Sequence, residues 1–232
     1  MSPAPPLDYI LYQASIWVLP VIIAVTFHEV SHGLVANWFG DDTATRQGRV
    51  NFNPLRHVDP FGTILLPGLL LLFRAPFLFG YAKPVPVNFA RLRNPKRDMI
   101  WVAAAGPAMN ILLAIVSALL IHVAPFLPKL AGGWARANLE NSIEINIILA
   151  AFNMIPLPPL DGGRVAVGLL PMALARPLAR LERWGLLILL GLIIVLPEIG
   201  RATGTDLNVL SWILGWPVEK LFEWILQLTG NW

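Results

Sequence analysis

Apolar residues in this chain gather into long runs, with little of the alternation that marks a half-buried strand. Four runs stand out, at 9–39, 99–124, 142–160 and 184–197, and no residue between Tyr9 and Phe27 is charged. Runs of this length read as membrane-spanning helices. Two further stretches are ambiguous. The one at 61–80 is interrupted by Pro67, Arg74 and Pro76. The one at 207–228 mixes Pro217, Glu219, Lys220 and Glu223 with Trp212, Trp216 and Trp224, the composition of an amphipathic helix lying at a membrane surface, although a short span stays open. The pattern predicts an all-α polytopic membrane protein with four to six transmembrane helices. No internal repeat or linker divides it, so 1–232 is expected to be a single integral membrane domain, with its core at about 9–175 and C-terminal helices at 184–232.

Composition supports this. The chain is 56% hydrophobic and 13% charged, and its nine Trp and 21 Pro suit interfacial anchors and broken helices. The first apolar run follows neither a basic region nor a small-residue cleavage site, so it is expected to stay in the protein. Absence of cysteine removes disulfides, thiolate catalysis and cysteine zinc sites. With neither aromatic interleaving nor a recognisable module, nucleic-acid binding is not expected.

Charge placement orients the chain. If 61–80 enters the bilayer and returns on the same side, then 40–98 and 161–183 share one face and carry thirteen Lys and Arg. The 125–141 connection on the other face carries two, Lys129 and Arg136, and the N-terminus none. If 61–80 crosses fully, the contrast nearly disappears. The positive-inside rule therefore predicts a re-entrant or buried 61–80, a cytoplasmic basic face and an N-terminus outside. Arg91, Arg93, Lys96 and Arg97 then read as a topology anchor near anionic lipid.

Against this background, Phe27-His28-Glu29-Val30-Ser31-His32-Gly33 is the most informative segment. It is an H-E-x-x-H pattern: on a helix, His28 and His32 share a face and can hold one zinc ion, with Glu29 beside them to take a proton from water. Ionisable groups at membrane depth are costly and mark function. A third ligand must arrive at similar depth. Asp161 follows Pro156, Pro158 and Pro159, broken backbone that is tolerated within a membrane where it lines a cavity. A carboxylate there completes a two-histidine, one-carboxylate site and leaves a fourth position for water. The re-entrant topology brings both ligand-bearing segments to the same cytoplasmic end.

With these motifs, and with Ala105-Gly106-Pro107-Ala108-Met109-Asn110, Asn53 to Pro60, Gly80 to Asn88 and Asn153 to Gly163, the chain resembles the site-2 protease family of intramembrane zinc metallopeptidases, peptidase family M50. The last stretches resemble its compact bacterial branch, and the chain shows no PDZ or CBS-type insertion. The resemblance spans roughly residues 15–175. It implies a zinc metalloendopeptidase with one Zn2+ per chain, held by His28, His32 and Asp161. Glu29 is then the catalytic acid/base, and Asn153 lines the site to hold substrate backbone or oxyanion. It also implies a small membrane-associated β region from Thr45 to Asn53, which would hold an unwound substrate segment by strand addition. The expected partners are a transmembrane protein substrate and the lipid bilayer of the cell membrane. Oligomeric state stays open. The rival expectation is a zinc-binding membrane scaffold or carrier without proteolytic activity. A carrier needs several metal sites along a path, and the sequence offers ligands for one; a silent scaffold would be expected to lose Glu29 or a ligand.

Other polar groups have plainer readings. Asn146 is expected to pack helices, and Gly106, Pro107 and Asn110 to allow close helix approach and shape the site wall. His57 is expected to make a hydrogen bond in a turn before Pro60, and His122 to sit at the membrane interface.

Overall fold

The structure, a computed structural model, describes residues 6–66, 68–69 and 80–231. Seven helices carry the argument: α1 (Leu7–Trp38), α2 (Thr43–Arg46), α3 (Pro95–Ile121), α4 (Lys129–Asn153), α5 (Asp161–Leu169), α6 (Met172–Thr203) and α7 (Val209–Thr229). Helix α6 is not uniform: it tightens at Leu181–Trp184 and widens at Gly191–Val195.

Helices α1, α3 and α4 pack side by side and form the frame of the molecule. Small residues on α3 permit the approach: Ala114 and Ala118 are fully buried against Ile143 and Ile147 of α4 and Ile225 of α7. In a bilayer such close packing replaces the hydrophobic drive available in water. Proline within α1 is accommodated in the same frame. Pro20 has no N–H to offer the Ile16 carbonyl, and the Asn141 side chain on α4 donates to that oxygen instead, at 2.9 Å.

Of the described helices, α1, α3 and α6 are long and apolar enough to cross a membrane. The run expected at 142–160 differs in extent. Its helix begins at Lys129 and stops at Asn153, because the three prolines that follow cannot continue a helix. The added turns bring in Arg136, paired with Glu140, which makes α4 more polar than the run suggested. The stretch expected to lie at the surface, 207–228, is one helix, α7. Its later half is built into the bundle, with Ile225 fully buried and His122, just past the end of α3, donating to the Thr229 carbonyl at 2.7 Å. Its tryptophans Trp212, Trp216 and Trp224 face outward.

The expected β region at 45–53 is corrected by the structure: the described residues contain no strand. Thr43–Arg46 is a helical turn closed by Gly48 at φ +62°, and Asn51 and Asn53 turn the chain with their own side chains. The neighbouring segment 80–88 could not complete a ladder, because Pro84 and Pro86 remove two of its donors. The Arg49 side chain bonds the Lys83 and Pro84 carbonyls instead, at 2.9 and 3.3 Å. His57 is buried and bonds the Asn51 carbonyl at 2.8 Å, a turn contact as its sequence setting implied. For the segment expected to re-enter the membrane, 61–80, residues 67 and 70–79 lie outside the described residues. Its two ends are held together: Tyr81 donates its N–H to the Gly62 carbonyl at 3.0 Å, and Thr63 donates its hydroxyl to the Tyr81 carbonyl at 2.9 Å.

Candidate metal centre

One turn of α1 separates His28 from His32, and their rings meet edge-on with centroids 4.7 Å apart. Asp161 comes from 129 positions further along the chain, as the first residue of α5. Local backbone explains its arrival. After α4 the chain folds back through Met154 to Leu160, and Gly162 and Gly163 let α5 begin against it. A Cβ at Gly162 would strike the Met154 and Ile155 carbonyls, and one at Gly163 the Leu157–Pro158 backbone. Gly185 of α6 seats on the same prolines, and Gly168 lets α5 lie against Ile100 of α3. Asp161 is thus held from several sides.

Three atoms converge. His28 Nε2 and His32 Nε2 lie 3.1 Å apart, and Asp161 Oδ2 is 3.2 and 3.3 Å from them. All three residues are buried. Bonds of about 2.0–2.1 Å at tetrahedral angles place zinc ligands about 3.3–3.4 Å apart, close to this triangle. The hydrogen-bonding state of the rings points the same way. His32 Nδ1 lies 2.7 Å from the Val102 carbonyl, which can only accept, so Nδ1 carries a hydrogen and the neutral ring has its lone pair on Nε2. His28 Nδ1 meets Asn110 Oδ1 at 2.6 Å. Asp161 Oδ2 is buried without a hydrogen-bond partner. Two lone pairs and an orphaned carboxylate oxygen aimed at one point are an arrangement that a cation satisfies, and neutral imidazole with carboxylate is a donor set that zinc takes.

Gly106 lines the site beside the converging Nε2 atoms of the two histidines. A Cβ there would lie about 2.5 Å from both imidazoles, so only glycine lets α3 pass this close. Gly106→Ala is therefore expected to displace the rings and weaken zinc binding by about 10-fold or more, the scale of losses when ligands are misaimed. Chelator competition on the purified protein checks this; unchanged affinity would contradict the contact.

Glu29 is half-buried beside the triad, and its Oε2 accepts the Val85 N–H at 2.8 Å. Gly33, one turn on, makes room for that segment: a Cβ there would press on Val50 and Val85 at 2.8 and 3.0 Å. Asn153 is not joined to the triad by a hydrogen bond. It ends α4 and donates to the Leu149 carbonyl of its own helix at 3.0 Å. Asn110 was expected at the site wall, but its hydrogen bond to His28, and the contacts of Val85 and the Val102 carbonyl, were not anticipated from sequence. The signal for Asn110 is its place four residues after Gly106, on the same face of α3.

The profile of Peptidase family M50 matches residues 131–196, which include Asn153 and Asp161 but not the histidine pair. Three similar proteins each carry the name "Putative zinc metalloprotease". YwhC of Bacillus subtilis is 37% identical over 181 residues, covering 76% of this chain and 79% of its own. Rip2 of Mycolicibacterium smegmatis is 27% identical over 180 residues, covering 78% of this chain and 66% of its own. MJ0611 of Methanocaldococcus jannaschii is 32% identical over 143 residues, covering 60% and 62%. No solved structure matches the chain.

Proposed function

The chain belongs to peptidase family M50, and from that premise we propose that this intramembrane zinc metalloprotease hydrolyses peptide bonds in or near the transmembrane segments of membrane-protein substrates. The observation that carries the proposal is the buried triangle of His28 Nε2, His32 Nε2 and Asp161 Oδ2 inside a bundle of apolar helices. These residues would hold one zinc ion, which supplies a Lewis acid that acidifies water and polarises a peptide carbonyl. Glu29 takes the proton from the attacking water and returns it to the leaving amine. Val85 N–H fixes the carboxylate that does so. Asn153 lines the cleft and helps hold the substrate backbone or oxyanion; Leu149 takes only one of its two amide hydrogens. A substrate helix hides its carbonyls in its own hydrogen bonds, so it must unwind locally before attack.

The topology we propose has four to six spans. Helix α4 is about 37 Å long at 1.5 Å per residue and packs with α7 against the spanning helices, which supports counting both. The joined ends of 61–80, at Gly62 and Tyr81, support re-entry from one side. With the basic residues inside, the active site lies toward the cytoplasm, the N-terminus lies outside, and the cell membrane is the location.

The test is cleavage of a single-span model substrate by the protein in liposomes. Cleavage should stop with 1,10-phenanthroline and return with zinc; cleavage indifferent to the chelator would refute the reading. A second expectation concerns Val85. Proline at this position removes the N–H while suiting backbone already confined by Pro86. Val85→Pro should slow cleavage about 10–100-fold by freeing the carboxylate, with zinc content unchanged. Val85→Ala, which keeps the N–H, should stay within a few-fold of wild type. Equal rates for all three proteins would remove Val85 from the mechanism.

A further inference from the structure

The buried polar chain that leads away from His28 has no part in the mechanism above. Asn110 on α3 and Asn146 on α4 are both fully buried in the helix bundle. Asn110 Oδ1 meets His28 Nδ1 at 2.6 Å, while its Nδ2 donates to Asn146 Oδ1 at 2.8 Å and to the Ala24 carbonyl at 3.3 Å. Asn146 Nδ2 donates to the Ser142 carbonyl at 2.8 Å and to the Ser142 hydroxyl at 3.3 Å. That hydroxyl pairs with Ser117 at 2.8 Å.

The direction of this chain is set at its ends. The Ala24 and Ser142 carbonyls can only accept, so both amides must present nitrogen to them. Asn110 must then turn its oxygen to His28. An oxygen facing Nδ1 requires the ring hydrogen to stand on Nδ1, and the lone pair is left on Nε2, the atom that faces His32 and Asp161. Two buried amides thus convey the polarity of two backbone carbonyls to the tautomer of one ring. His32 receives the same instruction directly from the Val102 carbonyl.

We propose that Asn110 is a positioning residue for the metal centre, holding His28 as the Nδ1–H tautomer with Nε2 aimed at the ion, and that Asn146 locks the Asn110 amide in the orientation this needs. A neutral amide does here what a carboxylate or carbonyl often does behind a zinc histidine, without placing a further charge among apolar helices. The proposal rests on the metal-site reading above. It gives buried residues in the middle of α3 and α4 a role toward the ion, although no residue of either helix is proposed as a ligand.

The experiment compares zinc affinity by chelator competition on wild-type holoprotein, Asn110→Leu and Asn146→Leu, together with the imidazole N–H signals of 15N-histidine-labelled wild type. Asn110→Leu keeps the volume and removes the acceptor; it should weaken zinc binding about 10–100-fold. Asn146→Leu should cost less, because Ala24 still orients Asn110. The wild-type spectrum should show Nδ1–H on both His28 and His32, and Asn110→Leu should shift the His28 signal alone. If Asn110→Leu folds and holds zinc within about 3-fold of wild type, the proposal is overturned. If that variant does not fold, the wild-type spectrum decides, and His28 with the hydrogen on Nε2 overturns it. A wild type that binds no zinc would overturn the site reading itself, and this proposal with it.

Discussion

Asp161→Ala is expected to lose its zinc and all measurable cleavage. The carboxylate is the one anionic member of the triangle, and its Oδ2 lies within 3.3 Å of both imidazole nitrogens. Without it two neutral rings remain, on one turn of one helix, and nothing from the far side of the site closes the triangle. Changes behind a ligand cost about 10–100-fold in affinity, and removing the ligand itself should exceed that. Metal content after purification and the concentration of chelator needed to strip the ion both report the loss. Asp161→Glu is the instructive companion. It keeps the charge but lengthens the side chain within a buried triangle whose edges are already 3.1, 3.2 and 3.3 Å, so affinity should fall by less than in the alanine variant but stay below wild type. Wild-type zinc content in Asp161→Ala would show that the ion is held elsewhere.

Glu29→Gln should give the opposite combination, full zinc and almost no cleavage. The amide preserves size and can still accept the Val85 N–H through its oxygen, so the site should keep its shape. It cannot take a proton from water. Loss of a general acid–base group removes about 10²–10⁴-fold in rate, and the higher end is expected here because the same residue also serves the leaving amine. Steady-state cleavage with zinc measured on the same sample makes the comparison. Turnover within 10-fold of wild type would take Glu29 out of proton transfer, whatever the zinc content. The two variants together separate binding the ion from using it.

Much of the site was legible in the sequence because its chemistry is carried by rare residues in an apolar setting. His28, Glu29 and His32 stand on the first membrane helix, and Asp161 follows a proline cluster, where polar groups must have a reason. The structure brings the two histidines and Asp161 into one triangle across 129 positions. What was not legible depends on contacts that no local pattern encodes. Val85 reaches Glu29 through a backbone N–H, which leaves no trace in side-chain type. Asn110 and Asn146 looked like helix-packing residues, and only the direction of their hydrogen bonds links them to His28. The β region at 45–53 was expected from the family resemblance alone, and here Pro84 and Pro86 on the neighbouring segment withhold donors while asparagine turns take the backbone instead. Helix boundaries moved where charged residues extended a helix beyond its apolar run, as in α4, which begins thirteen residues before the run at 142.

The central claim is peptide hydrolysis at membrane depth by a zinc centre built from α1 and the start of α5. The most direct test is the mass of the products when the reconstituted protein cuts a single-span substrate in liposomes. The account predicts zinc-dependent cleavage at a bond in or near the membrane-embedded segment, at positions that helix-breaking residues favour. Cleavage confined to the substrate's distant water-exposed flanks would contradict it.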